Sequence, residues 1–268
     1  MSENQNTTPP APEVLDKVTD LLWEANVQVK AMPFVREFIA EDDTDSAYEI
    51  QRRINARKIA SGRTRVGRKV GLTNPMVQQA AGVTEPDYGT IMDDMVFHDG
   101  VVFDPKKYVA PKIESEVAIA LKKDLHSWDI PAIEDAIDWI APAFELVDFH
   151  YEYYGMKIAD TIADNAGCAG IILGPRRAYG EVDLRDVRLS LTRDGEEITS
   201  GVGSNVMGTP INAVAWLAKT AIEQDIPLQA GELLLPGSIG MIMWFDFGPQ
   251  YQAHISGLGS VSARFEKE

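Results

Sequence analysis

The run Pro111-Lys112-Ile113-Glu114-Ser115-Glu116-Val117-Ala118-Ile119-Ala120-Leu121 most restricts how this chain can fold. Its hydrophobic members Ile113, Val117, Ile119 and Leu121 suit a strand. Side chains two apart on a strand share a face, so Glu114 and Glu116 project together, opposite Ile113, Val117 and Ile119. Adjacent carboxylates repel unless something positive lies between them, and a hard divalent cation with oxygen ligands is the natural candidate. Spacing alone more often marks a solvated polar face on a half-buried strand, so other residues must decide.

Composition narrows the alternatives. The 268 residues are 45% hydrophobic and 25% charged, as expected of a soluble globular protein able to bury a core without disulfides. Cys168 is the single cysteine, which leaves no internal disulfide and no Cys-rich zinc site. The 41 acidic and 25 basic residues give a net charge of −16, which repels nucleic acid and anionic lipid. With neither a secretory leader pattern nor a membrane-length apolar run, the expected location is cytoplasmic.

Residues 1–12 are polar and Pro-rich and read as a disordered tail. Helical spacing covers about 14–30 and 46–60, giving an N-terminal helical layer over residues 13–64. From 65 to 268 the pattern changes to short β-prone segments with turn signals between them. These lie at 66–72, 101–103, 113–121, 139–148, 168–173, 187–193, 196–202, 232–235, 250–256 and 258–265. Helical pattern returns at 74–81, 131–137 and 210–224. A β-rich α+β domain is the expectation.

Four further features bear on chemistry. Lys69 sits in Gly67-Arg68-Lys69-Val70-Gly71-Leu72-Thr73, an apolar strand whose glycines suit close approach of backbone to ligand. Burial lowers a lysine pKa and a nearby carboxylate raises it again; a snorkelling lysine is the alternative. Glu145 lies inside the apolar run Pro142-Ala143-Phe144-Glu145-Leu146-Val147-Asp148, where an unpaired acid is expensive, and a cation shared with Glu114 and Glu116 would meet the need. Glu85-Pro86-Asp87-Tyr88-Gly89 reads as a turn, and Asp160-Thr161-Ile162-Ala163-Asp164-Asn165-Ala166 as a capping segment. His98, His126, His150 and His254 lack zinc-ligand spacing, and no Gly-x-Ser-x-Gly elbow is present.

Together these runs, taken in chain order and ending with Gly257-Leu258-Gly259-Ser260-Val261, resemble the 2-oxopent-4-enoate hydratase / 4-oxalocrotonate decarboxylase family of the fumarylacetoacetate hydrolase superfamily. The resemblance implies a mixed β-sheet roll with an N-terminal helical layer. It implies Mg2+ or Mn2+ on Glu114, Glu116 and Glu145, with Lys69 and Asp87 as catalytic residues. Leu72, Tyr88, Asp164 and Ser238 fall at positions it implies for substrate binding. The implied activity is hydration of a 2-hydroxy-2,4-dienoate in meta-cleavage catabolism of aromatic compounds. Decarboxylation of 2-oxo-3-hexenedioate is the alternative, and a non-catalytic partner subunit is a second one. A small 2-oxo or 2-hydroxy dienoic acid, a homo-oligomer and a complex with a neighbouring pathway enzyme are the partners implied. The chain departs from the pattern at Pro236-Gly237-Ser238 and at Trp244, Phe245 and Phe247, which are expected to add bulk at the distal end of the pocket.

Overall fold

The computed structural model describes residues 9–151 and 155–267. Most of the tail expected at 1–12 lies outside them, and the first helix already starts at Pro12. In chain order the elements open with α1 (Pro12–Gln28), α2 (Thr44–Ala60), β1 (Arg65–Gly71), α3 (Pro75–Ala81) and β2 (Asp87–Met92). Next come β3 (Val96–His98), β4 (Val101–Phe103), β5 (Lys112–Leu121), α4 (Ile130–Ala136) and β6 (Ile137–Val147). They continue with α5 (Ile158–Ala163), β7 (Cys168–Leu173), β8 (Arg177–Ala178), β9 (Arg188–Arg193) and β10 (Glu196–Val202). The last five are α6 (Pro210–Glu223), β11 (Leu233–Leu235), β12 (Met243–Trp244), β13 (Gln250–Ile255) and β14 (Gly259–Phe265).

Among the described residues these strands form two mixed sheets. The larger runs β2-β1-β11-β5-β6-β7-β3, with β12 paired to β5 and β8 to β6; the smaller runs β10-β9-β13-β14-β4. The long strands β5 and β6 lie at the centre of the larger sheet and are buried along almost their whole length. Pro142 is unusual in so central a strand, because it cannot donate to a ladder. It is tolerated because it falls in a gap on one side of β6: pairing with β7 ends at Ala143, and β8 takes over only at Ile140.

Alternation divides β5 and β6 into two faces. Ile113, Val117, Ile119, Ile140, Phe144 and Leu146 join the main core, which also contains the inner residues of the smaller sheet and of α6. The other face carries Glu114, Glu116, Ala118, Ala143 and Glu145. Ala118 and Ala143 belong to a smaller cluster with Ile91, Ile171 and Leu235.

The N-terminal layer has its own core of Val18, Leu22, Ile50 and Ile54 together with Ala159, Ile162 and Ala163 of α5. The Asp43 side chain caps α2 by accepting from the Ser46 N–H at 3.0 Å. The layer also grips β2. Buried Gln51 donates Nε2 to the Tyr88 and Ile162 carbonyls at 3.0 and 2.8 Å. Asn55 donates to Thr90 Oγ1 at 3.0 Å. The turn expected at 85–89 is thus corrected: Asp87 opens a strand paired antiparallel to β1, Gly71 opposite Asp87. Its pairing and the α2 cover decide this, since the local sequence carries only turn residues.

Candidate active site

In β5 and β6, Glu114 lies directly across from Glu145, and Glu116 is diagonal to it. Glu116 and Glu145 are fully buried, and Glu114 is half-buried. One carboxylate oxygen from each of the three lies within 4.8 Å of the other two. Glu116 Oε2 accepts from the Gly237 N–H at 2.8 Å, whereas Glu116 Oε1 and Glu145 Oε2 are buried without a hydrogen-bond donor, and Glu145 Oε1 has the Lys69 ammonium 3.3 Å away. Leaving such oxygens unsatisfied is costly, and a hard cation that takes oxygen ligands relieves it. The residues therefore fit a divalent cation.

Lys69 reaches the same place from β1. Its Nζ is 3.3 Å from Glu145 Oε1, and its side chain is nearly inaccessible. β1 and β6 are separated by β11 and β5, which in a flat sheet would set them roughly 14 Å apart. Curvature of the sheet and the length of the lysine close that distance. Asp87 stands beside it: a Cβ at Gly71 would lie 2.2 Å from Asp87 Oδ1 and 3.2 Å from Lys69 Nζ. Only glycine at 71 leaves room for both charged groups. Thr161 Oγ1 donates to Asp87 Oδ2 at 3.2 Å, while Asp87 Oδ1 is buried without a donor.

The titrations follow from this crowding. Glu114 is pushed up to about 7, first by burial and then by Glu145. Glu116 is raised well above the usual range by burial, Glu145 and Glu114. Burial also raises Glu145 and Asp87, with Lys69 opposing the rise in both. Burial disfavours the Lys69 ammonium, but Glu145, Asp87 and Glu114 more than offset it, so its pKa lies above the ordinary value. The balance is opposite to the lowering that burial alone gives.

A stability test follows. Carboxyls whose folded pKa is raised bind protons more tightly when folded, so their contribution is present below the unfolded value and lost as pH rises through the folded one. Metal-free protein should accordingly lose stability as pH rises from about 4.5 through about 7, the window set by Glu114. Saturating Mg2+ should flatten that slope, because the cation takes the place of the protons. Denaturant midpoints measured with chelator and with Mg2+ across this range check it; identical slopes would count against a shared cation site.

The short strand β11 ends where Leu235 pairs with Lys69. The following Pro236-Gly237-Ser238 segment crosses in front of β5, held by Ile239 N–H to Ser115 O at 2.9 Å. Gly237 has φ +119°, and a Cβ there would strike Thr73 Oγ1 at 1.9 Å. The sheet is open beyond this point, and a cavity of about 170 Å3 occupies the gap. It is lined by Gly71, Leu72, Thr73, Val77, Glu114, Ser238, Met241 and Ile242 among others. Leu72 holds a left-handed φ of 57°, a strain of about 1–3 kcal/mol for a residue with a side chain.

The structure thus brings together Lys69, Asp87, Glu114, Glu116 and Glu145, with Leu72 and Ser238 on the adjoining cavity. It does not bring Tyr88 or Asp164 there. The Tyr88 side chain points to the opposite face from Asp87, stacks on Tyr48 at 4.6 Å and donates to Gln224. Asp164 accepts from the His150 N–H at 2.7 Å, sits 3.0 Å from the His150 ring nitrogen and lines a different cavity. The distal aromatic wall is also corrected. Phe245 is buried against Phe103, Tyr251 and Phe265, and Phe247 packs on Phe265. Trp244 is exposed, with the Lys112 ammonium 4.8 Å from its ring centroid. Thr161, Gly237, Val77, Met241 and Ile242 join the site as well; Thr161 and Gly237 lie in runs the sequence singles out, without a role assigned to either residue.

The family model described as Fumarylacetoacetate (FAA) hydrolase C-terminal matches residues 68–266, which contain all five clustered residues. The chain belongs to the fumarylacetoacetate hydrolase family. Within it, a 2-keto-4-pentenoate hydratase of Paraburkholderia xenovorans (strain LB400) is 37% identical over 260 residues, 95% of this chain and 96% of the relative. A 2-oxo-hept-4-ene-1,7-dioate hydratase of Escherichia coli is 37% identical over 230 residues, covering 82% and 86%. The structure of 4-oxalocrotonate decarboxylase from Pseudomonas putida G7, complexed with magnesium and adipate, superposes with a TM-score of 0.92. It is 33% identical, and the match covers 97% of this chain and all of that one. The fold is the mixed-sheet fumarylacetoacetate hydrolase type, with helices preceding the family region. No helix among the described residues is long and apolar enough to cross a membrane.

Proposed function

We propose that the protein is a divalent-cation-dependent hydratase of 2-hydroxy-2,4-dienoates such as 2-hydroxypenta-2,4-dienoate, forming a 4-hydroxy-2-oxo acid in meta-cleavage catabolism. The observation that carries this reading is the buried Glu114, Glu116 and Glu145 cluster with Lys69 and Asp87 beside it, opening at Glu114 into a narrow cavity. Glu114, Glu116 and Glu145 would hold the cation, Mg2+ before Mn2+ for an all-carboxylate set. When bound, the cation supplies Lewis acidity toward a 2-oxo acid's carboxylate and 2-oxo oxygens.

The chain's own residues account for the proton movements. The Lys69 ammonium, kept charged by its carboxylate neighbours, is the group to neutralise the oxygen at C2 as the enol proton leaves. Asp87, buried and steadied by Thr161, is the group to carry a proton between that oxygen and carbon. C5 gains a proton as the C2 hydroxyl loses one, leaving a 2-oxo-3-enoate. Water then adds across that double bond, hydroxyl to C4 and hydrogen to C3. Leu72 and Ser238 line the approach.

Decarboxylation of 2-oxo-3-hexenedioate is the second reading, favoured by the high similarity to the decarboxylase structure. An enolate-like species serves both reactions, so the same cluster suits either. Product analysis separates them. With Mg2+, 2-hydroxypenta-2,4-dienoate should give 4-hydroxy-2-oxopentanoate by NMR, and 2-oxo-3-hexenedioate should release little carbon dioxide. The reverse pattern would assign the decarboxylase, and no turnover of either would favour a non-catalytic partner subunit. An oligomer and a complex with a neighbouring pathway enzyme belong to the same proposal.

A further inference from the structure

The cavity in front of Glu114 has a polar inner end and an apolar mouth. Glu114, the Gly71-Leu72 backbone, Thr73 and Ser238 form the inner end; Val77, Met241 and Ile242 form much of the remainder, with Asn74, whose Oδ1 accepts from the Met76 N–H, as the neutral polar side chain among them. Among the described residues that line it, Glu114 is the only charged one. Val77, Met241 and Ile242 are 48%, 70% and 39% exposed. Isolated exposed apolar side chains need no explanation, but three around one opening mark a surface built for an apolar contact. A cavity of about 150 Å3 is enough for benzene, so about 170 Å3 takes a chain of about six carbons.

We propose that Val77, Met241 and Ile242 select substrates whose chain, beyond the 2-oxo or 2-hydroxy acid, ends in hydrogen or a small alkyl group, against those ending in a second carboxylate. The inference rests on the 2-oxo-acid reading of the Glu114, Glu116 and Glu145 site. With its first carboxylate directed to the buried cluster, a substrate carries its far end outward past Glu114 to the apolar rim. A methyl group there gains contact and leaves water. A carboxylate there gives up hydration for apolar neighbours, inside a protein of net charge −16. Lys112 precedes Glu114 by two residues on β5, yet its ammonium lies over the Trp244 ring and it is not part of the cavity lining.

Binding of 2-oxohexanoate and 2-oxoadipate tests this without turnover, because they share a six-carbon skeleton and differ only in the terminal methyl or carboxylate. Calorimetry on the Mg2+-loaded protein should find 2-oxohexanoate at least tenfold tighter. Ile242→Lys should narrow or reverse that ratio, with Mg2+ affinity measured separately to confirm an intact site. Met241→Lys, at the most exposed of the three positions, serves if the first variant does not fold. Equal or tighter binding of 2-oxoadipate by the unmodified protein would overturn the inference and leave the 2-oxo-acid reading standing. A ratio unmoved by either lysine would also overturn it. Failure of both acids to bind while Mg2+ binds would sink the 2-oxo-acid reading itself, and the inference with it.

Discussion

Glu116→Gln should fold with nearly the wild-type Tm when metal-free, yet lose the rise in Tm that Mg2+ gives the unmodified protein. Burial, Glu145 and Glu114 together hold the Glu116 carboxyl well above its usual range, which favours the neutral acid when no cation is bound. Glutamine imitates that acid in shape, and its carbonyl oxygen still accepts from the Gly237 N–H. What it lacks is the charge a divalent cation requires. A ligand at a hundred times its Kd stabilises the folded state by about 2.7 kcal/mol. For a chain of this size that is a Tm shift of about 5–10 °C. The variant should show little of it, and Mg2+-dependent activity should fall with it. A wild-type Mg2+ response in Glu116→Gln would remove this residue from the cation site, and full activity after exhaustive chelation would remove the cation.

Lys69→Met should lower turnover by about 10²-fold or more, the usual scale for losing a positioned acid–base group. Methionine keeps most of the stem's volume while removing the ammonium. The same change deletes a positive charge 3.3 Å from Glu145 Oε1, so Mg2+ should bind at least as tightly as before. That opposition of signs separates a chemical role from a structural one. Wild-type turnover with a greatly lowered Tm would assign Lys69 to the fold.

Much of the architecture was legible because it depends on short-range pattern. The helices at 12–28 and 44–60, and the strands at 112–121, 137–147 and 168–173, lie within two residues of where apolar periodicity puts them. Strands β2, β3, β8 and β12 were not legible. They are short or turn-like in composition, and exist because a neighbouring strand offers them a ladder. Asp160-Thr161-Ile162-Ala163-Asp164-Asn165-Ala166 shows the same limit. Read locally it is a capping segment, and Asp160 does accept the Lys157 N–H of its own helix at 2.8 Å. Yet Thr161 reaches Asp87 on β2, and Asn165 bonds both backbone groups of Thr90.

For the site, the sequence by itself determined that Glu114 and Glu116 share a face, since the strand period of two leaves them no alternative. It also set Glu145 among apolar neighbours, where an unpaired acid is expensive to bury. Only the tertiary structure decided which charged side chains meet there and which walls surround them. Register sets Glu145 opposite Glu114, and curvature of the sheet carries Lys69 across two intervening strands to meet it. The early end of β11 opens the cavity, and the segment after it presents Met241 and Ile242 there while sending Phe245 into the core. Period is a property of the backbone and survives in any context. Curvature, register and the direction of a loop are set by how distant side chains pack, and a residue's neighbours in sequence do not carry that information.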